Sequence, residues 1–159
     1  MEGSIKELSD YRLEKSKRNL ELARTLLEAE SYSFALNRAY YAAFDAMRAV
    51  NAMDSFDSSK HSGVIAHFNQ CHVKTGHFDS SVSSVIRRAS RLRERSDYED
   101  FYEPDKDDAE RTIEEVSLFI ATVSEYLSTT IETESGDAVA TENLTRVVED
   151  NEGHIEADE

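Results

Sequence analysis

The chain has no tryptophan, one proline, five glycines and one cysteine among 159 residues. Each scarcity excludes something. With Pro104 the sole proline and glycine rare, little is present to break a helix, so long helices are expected. The lone Cys71 has no partner for an internal disulfide, which points to a reducing cytosol. No run approaches the ~20 apolar residues that span a bilayer. The start, MEGSIKELSD, has neither the basic residues nor the apolar stretch of a secretory signal. A cytoplasmic protein with no membrane partner is therefore expected. Apolar residues make up only 39%, yet a chain of this length still buries roughly two-thirds of its unfolded surface. One domain with a modest core follows.

Acid is abundant. The formal net charge is −15 and is unevenly placed. Residues 130–159 hold ten acids and one base, Arg146, a net of −9, whereas the other 129 residues carry 23 acids and 17 bases. Arginine outnumbers lysine by 12 to 6. Adaptation to high salt and an acidic tail both produce such a bias. An acidic body holds nucleic acid only through a local basic patch.

Hydrophobic periodicity predicts helices throughout and no strand. Residues 5–31 read as one helix with Leu13, Leu20, Ala23 and Leu27 on one face and Leu26 beside it. Ser31 or Ser33 is placed to cap a second helix, about 33–51. Residues 53–63, MDSFDSSKHSG, carry turn chemistry. A short helix follows over 64–73, closed by Gly76 in a left-handed cap. Residues 80–96 form a fourth helix, with Val82, Val85, Ile86, Ala89 and Leu92 inward. After DYEDFYEP, Pro104 and the acids behind it suit the start of a fifth helix over 107–131. Its inward face is Ile113, Val116, Ile120, Val123 and Leu127. The expected fold is all-α, an antiparallel four- to five-helix bundle over 5–131, with residues 132–159 an acidic, disordered tail.

On a wheel of 100° per residue, the second helix sorts into three rows. Ala35, Ala39, Ala42, Ala46 and Ala49 form a stripe so small that another helix can approach closely, and a second copy of the chain is the expected occupant. Leu36, Tyr40, Ala43, Met47 and Val50 fill the core. Arg38, Tyr41, Asp45 and Arg48 form a polar row. Arg38 and Asp45 stand about 20° apart but two turns, ~10 Å, along the axis. They can face one phosphate-binding groove, or pair with charges on neighbouring helices.

Two other clusters carry chemistry. Arg87, Arg91 and Arg95 repeat at i+4 and make a basic ridge of the kind that holds phosphate backbones, unless the acids of DYEDFYEP neutralise it. His67 and Cys71 share a helix face, and His61, His72 or His77 could add a ligand. That spacing matches no known zinc pattern, so neither a metal nor a cofactor is expected.

Four segments, NRAYYAAFDAMRAV, KHSGVIAHFNQCHVKTG, RLRERSDYEDF and the last long helix, together resemble the HEPN domains, in particular small stand-alone prokaryotic members. The resemblance covers roughly Leu8–Leu127. It implies a helical bundle that often pairs as a homodimer. Many members are metal-independent ribonucleases, with an arginine followed after four to six residues by a histidine. Toxin members are commonly encoded beside a nucleotidyltransferase antitoxin, and other members are non-catalytic partners. The family's arginine falls on Arg38. Its histidine falls on position 45, where this chain has Asp45. Cleaving RNA without metal needs a base for the 2′-hydroxyl and an acid for the leaving 5′-oxygen. A histidine of pKa about 6.5 suits both, and an aspartate of about 3.9 suits neither well. Tyr41 is a further candidate for the role. HSGV belongs to the family pattern, so His61 is either a helix cap or an imidazole that the loop carries over Arg38. The resemblance thus implies either a weakened RNA-cleaving or RNA-binding toxin, neutralised by a nucleotidyltransferase, or a non-catalytic interaction module.

Overall fold

In a computed structural model, the backbone is described for residues 2–152 and side chains for residues 3–130. The described residues form five helices and no strand: α1 (Glu2–Glu28), α2 (Tyr32–Met53), α3 (His61–Phe68, continued by a π turn at Asn69–Val73), α4 (Ser81–Tyr98) and α5 (Lys106–Glu152). Residues 1–124 form one unit and residues 125–159 a second. The expected acidic tail, 132–159, lies outside the residues whose side chains are described, and the α5 backbone is continuous to Glu152.

Turn and cap chemistry sets the element ends. Asp105 accepts the Asp108 amide at 2.8 Å and caps α5 directly behind Pro104, as an N-cap carboxylate does. Gly76 holds φ +87 and closes the π turn, where a side chain would be strained. Ser31 stands at the N-cap of α2, but its hydroxyl makes no capping bond. The 54–60 loop folds tightly onto α3, because a Cβ on Gly63 would collide with the Ser58 side chain.

Packing is antiparallel along α1, α2, α4 and α5. Leu36 meets Leu92 and Ala109 in one cluster, with Leu27 and Tyr32 at its margin. Phe119 of α5 meets Phe68 and Phe78 at ring distances of 5.7 and 6.1 Å. The inward face foreseen for α5 is buried at all five positions.

The alanine stripe departs from expectation. Ala35, Ala39, Ala42, Ala46 and Ala49 are all fully buried, but α1 of the same chain covers them. Ser9 Oγ donates to the Ala49 carbonyl at 2.8 Å, and Ser16 Oγ donates to the Ala42 carbonyl at 2.6 Å. The inward face of α1 is therefore Ser9, Arg12, Ser16, Leu20 and Ala23. The expected Leu20 and Ala23 are buried, and Leu27 packs at the core's margin. Along the first half of the helix, however, Ser9, Arg12 and Ser16 face inward and Leu13 is only partly buried. Small hydroxyls win here because two backbones this close leave no room for Leu13, and each buried hydroxyl finds a helix carbonyl to bond. Ala42→Leu should force this seam apart. Overpacking typically costs about 1–3 kcal/mol, and each kcal/mol is worth about 2–4 °C at this chain length. A thermal melt followed by circular dichroism checks it, and an unchanged melt would show that α1 does not seat there.

Candidate functional site

Three helices supply one groove. The polar row of α2 presents Arg38, Tyr41, Asp45 and Arg48, α1 adds Lys15 and Asn19, and α3 opens with His61. With Phe44 these residues line a cavity of about 360 Å3.

Arg38 and Asp45 do not touch; Asn19 spans the two turns between them. Its Oδ1 accepts from Arg38 Nη1 at 3.4 Å, and its Nδ2 donates to Asp45 Oδ2 at 2.9 Å. Arg38 is half-buried and also donates Nε and Nη2 to Asn37 Oδ1, at 3.0 and 2.7 Å. Its guanidinium lies over the Tyr41 ring, 5.1 Å from the centroid. Arg93 of α4 flanks the same tyrosine at 5.7 Å and lies over Tyr40 at 4.6 Å. Such stacking fixes the plane of the guanidinium while leaving its positive charge in the groove.

Asp45 is 4% exposed. Burial pushes its carboxyl above the ordinary value; Lys15, the Asn19 bond, Arg48 and Arg12 pull it back without cancelling the shift. His61 moves the other way. Burial, then the positive charges of Arg93 and Arg48, lower its pKa, so the ring is a neutral imidazole at neutral pH. It does not cap α3. Instead Nδ1 lies 3.1 Å from the Tyr40 hydroxyl, and the ring lies against Phe44 at 4.3 Å. The groove therefore pairs a carboxyl pushed up with an imidazole pushed down.

Arg48 is anchored from behind. Its Nη2 lies 3.3 Å from Asp57 Oδ2, which also accepts from Arg12 Nη2 at 3.0 Å. Arg12 Nη1 in turn donates to the Arg48 carbonyl at 3.2 Å. Burial opposes ionisation of Asp57, but the Ser58 amide and both guanidinia outweigh it and hold its carboxyl below the usual range. The Nε of Arg48 is buried without an acceptor among the described residues. Lys15, Arg38 and Arg48 face one carboxylate along the groove, so a chain of strongly negative charge has a local positive lining.

The arginine ridge stands apart from this groove and is split. Arg87 and Arg91 border a separate depression with Ile65, Asn69 and Ser83. Arg95 is bound to Glu99 at 2.9 Å and lies 4.0 Å over the Tyr102 ring. Lys15, Asn19, Phe44 and the anchors Arg12 and Asp57 escaped the reading of the sequence. A signal for part of this set was present: Ser9, Arg12, Ser16 and Asn19 repeat at 3, 4 and 3, the same spacing as Arg38, Tyr41, Asp45 and Arg48.

Comparison with known proteins places the chain. The HEPN domain matches residues 9–126. A protein of Methanocaldococcus jannaschii described as a candidate toxin is 30% identical over 127 residues, covering 80% of this chain and 86% of that protein. A UPF0332 protein of Thermotoga maritima is 29% identical over 118 residues, covering 74% and 89%. A crystal structure from Thermus thermophilus shares the fold at a TM-score of 0.62 and 17% identity, over 74% of this chain and 97% of that one.

Proposed function

The chain belongs to the HEPN domain family, and from that premise we propose that it is a toxin-type member whose groove binds RNA and cleaves it weakly without metal. The observation that carries this reading is the neutral His61 imidazole beside Arg38 and Asp45 in a positively lined groove. Arg38 and Arg48 hold a backbone phosphate, as guanidinia do. His61, with Nδ1–H donated to Tyr40, offers Nε2 to the 2′-hydroxyl proton. Asp45, shifted upward by burial, is the acid for the leaving 5′-oxygen. Its charge also repels phosphate, so cleavage is slow. Tyr41 carries the guanidinia of Arg38 and Arg93 over its ring and positions Arg38.

In this reading two chains pair with their grooves facing, in the cytosol, and a nucleotidyltransferase neutralises the pair. The alanine stripe is taken by α1, so the pairing surface lies elsewhere. Phe34, Tyr98 and Phe101 are 68%, 78% and 104% exposed. Phe34 and Tyr98 lie three residues and one residue along the chain from Asn37 and Asp97, whose bond (Asn37 Nδ2 to Asp97 Oδ2, 3.1 Å) joins α2 to α4 next to Arg38. A second reading, a non-catalytic interaction module, is favoured by the bonds that already occupy Arg38 and Asp45 within the chain.

The purified chain, incubated with single-stranded RNA in EDTA, is expected to cleave slowly, to lose that activity as His61→Ala, and to scatter light as a dimer in low and molar salt. Binding without cleavage would leave the interaction module standing. A clean monomer would remove the paired groove.

A further inference from the structure

Away from the groove, Asp54, His67 and His72 converge. Asp54 ends α2, His67 lies in α3 and His72 in the π turn. Asp54 Oδ2 is 3.0 Å from His67 Nε2 and 2.6 Å from His72 Nε2. One ligand atom from each residue lies within 4.8 Å of the other two. We propose that this triad is a binding site for one divalent cation of the zinc type, which clamps the end of α2 to α3.

The chain departs from regular helix to build it. His67 and His72 are five residues apart, which on an α-helix is about 140° around the axis. The π turn, closed by the Lys74 amide on the Asn69 carbonyl at 2.9 Å, inserts the extra residue that swings His72 toward His67. Turns of this kind are rare and concentrate at functional sites. Both imidazoles are held by packing. Phe56 stacks flat on His67 at 3.9 Å, and His72 is buried against Phe68 at 5.9 Å. The outer nitrogens meet polar neighbours: Cys71 Sγ lies 3.8 Å from His67 Nδ1, and His77 Nδ1 lies 3.1 Å from His72 Nδ1. Ligating histidines are oriented in this way.

Bond lengths of about 2.0–2.2 Å to tetrahedral zinc put neighbouring ligand atoms about 3.3–3.6 Å apart. The Asp54–His67 pair is within a few tenths of an ångström of that spacing, and a turn of the Asp54 side chain would have to open the Asp54–His72 pair further. Two imidazoles and one carboxylate suit zinc and its neighbours over calcium or magnesium, which take oxygen ligands. The Asp54 side chain is 35% accessible, so water completes the shell. The loop that follows Asp54 carries Asp57, which anchors Arg12 and Arg48, and leads into His61. The ion would thus steady one wall of the groove without entering its chemistry.

The test uses the full, tag-free chain stripped with EDTA and titrated with Zn2+ by calorimetry, with thermal melts alongside. One ion per chain and a higher melting temperature are expected. Asp54→Asn and His67→Gln, each checked for helix content, should weaken binding by more than the about 10–100-fold that an outer-shell change costs. Cys71→Ser removes only an outer neighbour of His67 and should cost no more than that range of about 10–100-fold. No zinc uptake by the parent chain, full affinity in Asp54→Asn and His67→Gln, or a loss in Cys71→Ser as large as in those two variants would each overturn the assignment.

Discussion

Replacing Asp45 with histidine is expected to raise metal-independent RNA cleavage by about 10²–10⁴-fold, the usual contribution of a placed general acid–base group. Position 45 lies on the groove wall two turns from Arg38, with its side chain aimed at Asn19. An imidazole there has a pKa of about 6.5 before the site perturbs it, so it can hold or release a proton at neutral pH. With His61 already neutral, the groove would then contain two imidazoles and could divide base and acid work between them. The substitution also removes a negative charge facing the phosphate. Asp45→Asn separates these effects, since it removes the charge and adds no titrating group. The measurement is the single-turnover rate on a single-stranded RNA in EDTA across pH 6–8. If Asp45→His is folded, paired and inert, the weakened-nuclease reading fails and the interaction module takes its place.

Arg38→Ala in that background is expected to cost about 10²–10³-fold in rate, the loss that follows removal of a donor aimed at transition-state charge. Arg38 is held between Asn37, Asn19 and the Tyr41 ring, so its charge is pre-placed and not recruited on binding. Without it, RNA affinity should fall evenly across sequences, because a phosphate contact reads no base. The slope of log affinity against log salt should shrink by about one. Arg38→Lys should restore only part of the rate, since an ammonium cannot present a planar pair of donors. Unaltered cleavage by Arg38→Ala would move phosphate binding to Arg48 or to the Arg87–Arg91 depression.

Much of the helical architecture could be read from local pattern. The α5 face Ile113, Val116, Ile120, Val123 and Leu127, the Asp105 cap behind Pro104 and the left-handed Gly76 all follow from residues a few positions apart. The polar row of α2 is equally local, since a wheel suffices to put Arg38 and Asp45 on one side. The wheel also marked Ala35 to Ala49 as a close-approach stripe. It could not say what approaches, because small residues specify a distance and not a partner.

The sequence by itself determined the all-α class and the membership in the HEPN family carried by its quoted segments. These depend on periodicity and residue identity, which need no long-range contact. Tertiary structure alone decided that α1 and not a second chain covers the stripe, that Asn19 spans Arg38 and Asp45, and that the 54–60 loop delivers His61 into the groove. It alone brought Asp54 to His67 and His72, through a π turn that no α-helical spacing foretells. Each of these depends on the register in which two helices meet, and register is set by the packing of residues tens of positions apart.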